Sequence, residues 1–384
     1  MTPMATDVLP DEKPLRYGRR ARAFTAMEEH DLDVLVLGRG ANVRYVCGAR
    51  GLWNAGTHGF APVCAVVRST RQVYLLSTWD EGIPEEIPHE HMLGITWNPM
   101  NYLTWLRDIE GSATAGRVGF DSISPLFAQL LPAAFPAAEI VDGEDAIQAA
   151  RLVKTPEEVV AIRGSLSIVE QALASALSDL RPGVEERALT GVFMEAMASL
   201  GVTTPSTQDV VTITSSRDRT APKGQEAVRA GDLVAFTAGV LDGGYAGEVA
   251  RTWPVGGGDE IAKYRDAFDE WDELWSHLIQ ACRPGASGGD FFAAYRAANV
   301  AVPSLPIVRG VGLGYDLPIV VADLPATAAG QRVASGMTLA VTGIVDSPHG
   351  RVIAQEVVLV TDGEPEILTT SPFWTHQFQG AKRQ

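Results

Sequence analysis

Residues 231–252 read GDLVAFTAGVLDGGYAGEVART and contain two apolar runs around a glycine pair. A Gly-Asp turn precedes the first run, and Gly243, Gly244 and Tyr245 separate it from the second. Paired glycines between apolar runs are typical of a β-hairpin, because tight turns need positive φ angles. The segment therefore predicts a β-hairpin.

Helical patterns precede this hairpin and recur after it. Thr155 and Pro156 are predicted to start a helix that ends before an Arg-Pro-Gly stop at 181–183, and a second helix follows over 184–200. Further helices are predicted over 264–282 and 290–299, and strands over 338–345, 351–360 and 366–369. The order helix, helix, hairpin thus occurs twice, which suggests an internal pseudo-repeat.

The first part of the chain predicts a separate small α/β domain. Short apolar strands alternate with helical segments over residues 1–145, and a chain of 384 residues is long enough for two domains. The linker RLVKTPEEVVAIR at 151–163 marks a boundary. We predict an N-terminal domain over 1–150 and a second domain over 151–384.

Composition and charge exclude some classes of partner. The net charge of −16 argues against nucleic acid, which is bound through an excess of Lys and Arg. No apolar run predicts a membrane span or a secretory signal, so no membrane partner is expected. The three cysteines, Cys47, Cys64 and Cys282, form no C-x-x-C pair and indicate reduced thiols in a cytoplasmic protein.

Four segments in this order resemble the creatinase/prolidase/methionine aminopeptidase superfamily, which has the pita-bread fold. They are the linker at 151–163, GDLVAFTAGVLDGGYAGEVARTWPVGG at 231–257, RGVGLGYDLPIV at 309–320, and the strands within 335–369. The resemblance implies a mixed α/β (α+β) chain with a creatinase-like N-terminal domain and a peptidase M24-like pita-bread domain of pseudo-twofold symmetry. It also implies a homodimer and a small-molecule substrate.

The metal ligands of the resembled family are mostly replaced here. In metal-dependent members two aspartates, a histidine and two glutamates hold two ions, and by motif position these fall on Thr237, Glu248, Val311, Thr342 and Glu356. Two carboxylates alone are too few ligands for a pair of transition-metal ions, which need more anionic oxygens and an imidazole. The sequence predicts no tightly bound dinuclear metal centre and no other cofactor, and it leaves open a single weakly held hard cation.

A metal-free branch of the superfamily, the creatinases, offers a precedent for chemistry without ions. Its catalytic histidine falls near Thr220 in this chain, and its glutamate before Arg-Thr falls on Ala250. The chain therefore departs from the creatinase pattern as well.

Glu248 and Glu356 are the predicted catalytic residues. Both former ligand positions would face one pocket, where two nearby carboxylates share a proton and divide the roles of general base and general acid. The alternative is that each glutamate is a solvated or salt-bridged relic.

Predicted substrate-binding residues lie on loops around these strands. The loop 213–223 borders the substrate in the family, and its cationic residues would grip a carboxylate. The turn after Arg309 offers a tyrosine hydroxyl for a developing negative charge. In relatives that form dimers, a loop of the N-terminal domain reaches the pocket of the partner subunit. The glycine-rich loop at 51–60 would close the site in this way. The candidates are Arg217, Arg219, Lys223, Arg309, Tyr315, Asp316, His58, Trp53 and His349.

Three functions fit these residues. The first is a metal-independent hydrolase that acts on a C–N or related bond of a small polar substrate by carboxylate acid/base catalysis. The second is a non-catalytic, peptidase-like binding protein, which would result if the lost ligands ended catalysis. The third is a lyase or an atypical metal-dependent Xaa-Pro peptidase.

Overall fold

The computed structural model describes residues 12–49, 64–77, 82–94, 96, 98–122, 124–218, 221–324, 327 and 330–374. The chain divides into two compact units, Met1–Arg151 and Leu152–Gln384. This division lies one residue from the predicted domain boundary.

The first unit is built on the strands β1 Val34–Leu37, β2 Cys64–Val67, β3 Gln72–Leu76, β4 Met92–Leu93, β5 Arg117–Phe120 and β6 Glu139–Asp142. They form one sheet with the order β4-β3-β2-β1-β5-β6. Strands β1, β5 and β6 are parallel, and β2 pairs antiparallel with both β1 and β3. Strands β2 and β3 form a hairpin whose turn lies at residues 68–71. The α-helices described in this unit are α1 Lys13–Glu29, α2 Gly40–Cys47, α3 Pro99–Asp108, α4 Pro125–Ala134 and α5 Glu144–Leu152.

The second unit contains five helices and eight strands in the part of the chain that the structure describes. The helices are α6 Pro156–Ser178, α7 Glu186–Ser199, α8 Asp259–Ala262, α9 Arg265–Ala281 and α10 Gly288–Ala297. The strands are β7 Val211–Ile213, β8 Leu233–Asp242, β9 Tyr245–Pro254, β10 Val308–Gly312, β11 Gly314–Val320, β12 Thr338–Ser347, β13 Gly350–Leu359 and β14 Glu366–Ile367.

One sheet carries all eight of these strands. Its main order is β11-β10-β12-β13-β9-β8-β7, and β14 pairs with β13. Two long hairpins, β8–β9 and β12–β13, lie at its centre. Helices α6 and α7 precede the first long hairpin, and α9 and α10 precede the second, so the element order agrees with the predicted pseudo-repeat.

Helix α6 begins with a capping box. The Thr155 hydroxyl accepts from the Glu158 amide (3.2 Å), and the Glu158 carboxylate accepts from the Thr155 amide (3.1 Å). By length and composition alone α6 is apolar enough to cross a membrane, which was not predicted from the sequence. In the fold its apolar residues recur every three or four positions and pack on β8, β9 and α7.

Each half of the unit has a glycine where a long strand meets its helix. A Cβ on Gly247 of β9 would lie 2.4 Å from the Ser165 carbonyl carbon of α6. A Cβ on Gly343 of β12 would lie 2.5 Å from the Trp271 indole nitrogen of α9, which donates to the Gly343 carbonyl (3.0 Å). Trp271 is buried and stacks on Trp275, as expected for core residues.

We expect Gly247→Ala to lower the free energy of unfolding by about 2–3 kcal/mol, because a backbone carbonyl cannot move aside as a flexible side chain can. Gly164→Ala is the matched control, since Gly164 is exposed on α6 and its added Cβ would meet nothing within 4 Å. The control should gain about 0.5–1 kcal/mol from helix propensity. Urea unfolding measures both, and a Gly247→Ala variant as stable as wild type would contradict the close approach.

Candidate active site

Strand alternation brings four polar side chains to one face of the central hairpins. Gly239 pairs with Glu248, Thr237 pairs with Ala250, and Gln355 pairs with both Ala250 and Thr342. Directly paired residues share a face of the sheet. The residues line a cavity of about 220 Å³ formed by Thr207, Thr237, Ala238, Glu248, Val249, Ala250, Leu305, Pro306, Arg309, Thr342, Ile344, Ile353 and Gln355.

Glu248 is the centre of the hydrogen bonding in this cavity. Its Oε1 accepts from the Tyr315 hydroxyl (2.5 Å) and from the Ser206 hydroxyl (3.2 Å). Its Oε2 accepts from the Arg309 guanidinium and, at 3.4 Å, from the Gln355 amide. The Glu248 side chain is only 1% exposed, so these donors stabilise its negative charge in place of water.

Arg309 and Tyr315 come from the neighbouring β10–β11 hairpin. The guanidinium carbon of Arg309 lies 4.8 Å from the centroid of the Tyr315 ring, within cation–π range. Burial, followed by the nearby Glu248 charge, raises the pKa of Tyr315 to about 12. Tyr315 therefore keeps its proton, and remains a hydrogen-bond donor, throughout the neutral range.

The threonine hydroxyls around Glu248 already donate to protein oxygens. Thr342 donates to the Gln355 side-chain oxygen (3.0 Å), and Thr207 donates to the Thr237 carbonyl (2.8 Å). Thr237 donates to the Asp209 carbonyl (2.7 Å). These hydroxyls are fixed in orientation and offer lone pairs to a ligand.

Glu356 does not face the cavity, and the predicted pair of catalytic glutamates is wrong. Side chains alternate along β13, so Gln355 faces Glu248 and Glu356 points to the opposite side of the sheet. There the Glu356 carboxylate pairs with Arg251 (3.0 Å) and accepts from the Thr369 hydroxyl. Burial raises the pKa of Glu356, and Arg251 opposes that rise.

Val311 is not the residue of its strand that reaches the cavity. It is fully buried, and the residue of β10 that lines the cavity is Arg309. A guanidinium therefore stands beside Glu248 on the strand where the resemblance implied a histidine.

The predicted roles of Arg217 and Asp316 in substrate binding are also corrected. Arg217 is held by Asp232 (2.9 Å), Glu226 (2.6 Å) and the Ala227 carbonyl (3.0 Å), a partly buried cluster at the base of its loop. Asp316 forms a buried ion pair with Lys154 (2.7 Å). These charges serve the fold and have no place in the lining of the cavity.

The other candidates are absent from the described lining of the cavity or lie outside the described residues. Lys223 is exposed and pairs with Asp209 (2.5 Å). His349 is exposed in the β12–β13 turn, six residues from Gln355, which is about 20 Å of extended strand. His58, Trp53 and Arg219 lie outside the described residues.

Ser206 and Gln355 are site residues that were not predicted from the sequence. Ser206 approaches Glu248 because Gly239 leaves room for it, since a Cβ there would lie 2.0 Å from the Ser206 hydroxyl oxygen. A glycine inside a strand indicates such an approach, so Gly239 was a usable signal. Gln355 had a weaker signal, the period-two alternation of β13.

Two family models match the chain. The creatinase/prolidase N-terminal domain matches residues 19–153, and metallopeptidase family M24 matches residues 160–362. The chain belongs to metallopeptidase family M24. The predicted superfamily and the mixed α/β pita-bread fold are thus confirmed.

Similar proteins are peptidases. The uncharacterized peptidase YqhT of Bacillus subtilis is 25% identical over 266 residues, which cover 67% of this chain and 73% of the relative. A Xaa-Pro dipeptidase of Pyrococcus furiosus is 24% identical over 59% of this chain and 65% of its own length. In fold, the Xaa-Pro dipeptidase from Bacillus anthracis matches with a TM-score of 0.71 at 18% identity, covering 93% of this chain and 98% of that one. The relatives support a peptidase-type hydrolase.

The metal ions that the family description implies do not fit the residues in this cavity. Among the described residues, no group of three or more His, Cys, Asp or Glu side chains is placed to hold a metal ion. The described lining of the cavity has one carboxylate, Glu248, and Arg309 already neutralises it. The remaining polar groups on the former ligand strands, those of Thr237, Thr342 and Gln355, are neutral. A dinuclear centre needs several anionic or imidazole ligands, which this set does not supply.

Proposed function

We propose that the chain is a metal-independent M24 hydrolase that cleaves a C–N bond of a small polar substrate beside Glu248. The observation that carries this proposal is the convergence of one guanidinium and one tyrosine hydroxyl on a buried carboxylate that lines the cavity. These groups supply a proton acceptor and two donors for a negatively charged oxygen without a metal ion.

Each group has a role in amide hydrolysis. The Tyr315 hydroxyl turns from Glu248 to the substrate carbonyl oxygen, which Arg309 also approaches. Tyr315 is half exposed and has room for this rotation. Oε1 of Glu248 keeps its contact with Ser206 and now has a lone pair that accepts a proton from water as the water oxygen bonds to the carbonyl carbon. Glu248 passes that proton to the leaving nitrogen as the C–N bond breaks, and the carboxylate is restored.

The size of the cavity favours a small substrate. Its volume of about 220 Å³ is below the usual range for drug-sized ligands. Apolar residues of the lining, including Leu305, Pro306 and Ile344, would contact a hydrophobic part of the substrate. Because relatives are named Xaa-Pro dipeptidases, Xaa-Pro dipeptides are the first class to assay.

The direct test is hydrolysis by protein that has been treated with a chelator and desalted. We expect release of the amino acid from at least one member of a panel of Xaa-Pro dipeptides and N-acyl amino acids, at the same rate with and without added Mn²⁺. Activity that disappears on chelation and returns with Mn²⁺ would overturn metal independence.

Tyr315→Phe should reduce kcat by about 10²–10³-fold, because it removes one donor to the developing oxyanion. Since the pKa of Tyr315 is about 12, its donor form persists as pH rises, and wild-type kcat should show no alkaline decline from this group below about pH 11. The pH–rate profiles of both proteins measure this. A variant with wild-type kcat would remove Tyr315 from the mechanism.

A non-catalytic binding protein is the second candidate, and one observation favours it. Each Glu248 oxygen accepts hydrogen bonds from two protein donors. The carboxylate is therefore not available to take a proton until Tyr315 moves. No turnover across the panel, together with a panel member that raises the Tm, would favour binding over catalysis. The homodimer, the cytoplasmic location, the absence of nucleic-acid and membrane partners, and the lyase alternative stay predictions.

A further inference from the structure

We propose that the guanidinium of Arg309 is a built-in cation that takes the place of the family's metal ions at Glu248. The inference rests on the metal independence proposed above and does not depend on which bond is cleaved. It assigns to one side chain the role of neutralising a carboxylate that the fold keeps buried.

The burial of Glu248 requires a counter-charge. Its side chain is 1% exposed, and its other three donors, Tyr315, Ser206 and Gln355, are neutral. Taking a carboxylate out of water is unfavourable unless a cation compensates it. Among the described residues that line the cavity, Arg309 is the one cationic side chain.

The contacts of Arg309 are those of a counter-ion and differ from those of a structural cross-link. Its guanidinium donates to Glu248 and lies against the Tyr315 ring, and its buried Nε has no partner among the described residues. Arg251 provides the contrast, because its Nε, Nη1 and Nη2 all donate to Glu356 or to carbonyls on β9, β13 and the segment after β14. The charge of Arg309, more than its hydrogen bonds, therefore explains its place.

The position of Arg309 also explains how the cavity keeps a carboxylate without ions. Thr237, Thr342 and Gln355 stand on the strands where the resemblance implied anionic ligands, and all three are uncharged. One guanidinium balances one carboxylate, so the described lining carries no net charge. A divalent cation entering this set would have to displace Arg309 first.

The test compares Arg309→Met, Glu248→Gln and the double variant with wild type in chelated buffer. Arg309→Met leaves a buried charge, so its Tm should fall by about 10 °C. The double variant leaves no charge and should lose much less. Excess Mn²⁺ should raise the Tm of Arg309→Met by a few degrees, because a divalent ion replaces the missing cation, and should not change wild type or the double variant.

Each outcome decides the inference. If Arg309→Met does not fold while the double variant does, the inference is supported, because the variant with an unpaired buried carboxylate is the less stable one. The inference would be overturned if Arg309→Met cost as much in the Glu248→Gln background as in wild type. An Mn²⁺ shift in wild type as large as that in Arg309→Met would also overturn it. Failure of the proposed hydrolysis would appear in the dipeptide assay and would leave these Tm comparisons unchanged.

Discussion

Glu248→Gln is expected to lower kcat on the best substrate of the panel by about 10³-fold, while the protein stays folded. The amide keeps the shape of the side chain and can still bond to Tyr315 and Ser206. It cannot take a proton from water at neutral pH, so the proposed attack on the carbonyl carbon has no base. Steady-state kinetics with circular dichroism as a check on folding measures the effect.

Glu356→Gln is the matched control for this experiment. It makes the same chemical change one residue from Gln355, but on the face of β13 that points away from the cavity. Its kcat should remain close to that of wild type. If Glu356→Gln loses as much activity as Glu248→Gln, Glu356 does not point away from the cavity as described. Catalysis by both carboxylates would then be the better account.

Arg251→Met is expected to lower the free energy of unfolding at neutral pH by about 3–5 kcal/mol. The substitution leaves Glu356 buried without its cation and frees the carbonyls of Gln355 and Ser371 from their donor. Arg251 also stacks on Phe373, at 4.2 Å from its ring centroid, so some packing is lost as well. Urea unfolding measures the change.

The loss of stability in Arg251→Met should become smaller in acid, because Glu356 becomes protonated there. Burial already raises the pKa of Glu356 above its ordinary value of 4.5, and removal of Arg251 raises it further. A carboxyl with a raised pKa in the folded state destabilises that state as pH increases from 4.5 through the folded-state pKa. Below pH 4.5 both states are protonated, and the electrostatic part of the loss disappears.

Arg163→Met provides the control for Arg251→Met. Arg163 pairs with Glu366 at 2.6 Å, and both side chains are about half exposed. Water already screens this pair, so its loss should cost less than about 1 kcal/mol. Comparable losses in the two variants would show that the Arg251–Glu356 pair is not buried as described.

The hairpins and long helices were predictable because their signals are local. The cap at Thr155, the glycine pair at 243–244 and the apolar runs of β8 and β13 each specify an element within a few residues. The β10–β11 hairpin carries Arg309 and Tyr315, and it was predicted only as a strand and turn by resemblance. Its register contains a shift between Arg309 and Gly310, which local patterns do not encode.

The choice between Gln355 and Glu356 shows where sequence reasoning failed at the site. Two polar residues stand side by side in an apolar strand, and a one-residue change of register exchanges their faces. The resemblance assigned a former ligand position to Glu356 and so predicted it for the cavity. The structure places the neutral residue there, because Arg251 compensates the charged one on the other side.

Charged loop residues misled the prediction for a different reason. The partners of Arg217 are 9 and 15 residues away in sequence, and Lys154, the partner of Asp316, is 162 residues away. A charge pattern shows that such groups exist but not which opposite charge the fold brings to them. Arg309 and Tyr315 were predicted for substrate contact; Arg309 lines the cavity, and Tyr315 donates to Glu248.

The metal content of the purified protein tests the central claim most directly. Protein prepared without chelator, then equilibrated with Mn²⁺, Co²⁺ and Zn²⁺ and desalted, should contain far less than one transition-metal ion per chain by mass spectrometry. Two ions per chain, lost in parallel with activity on chelation, would contradict the account.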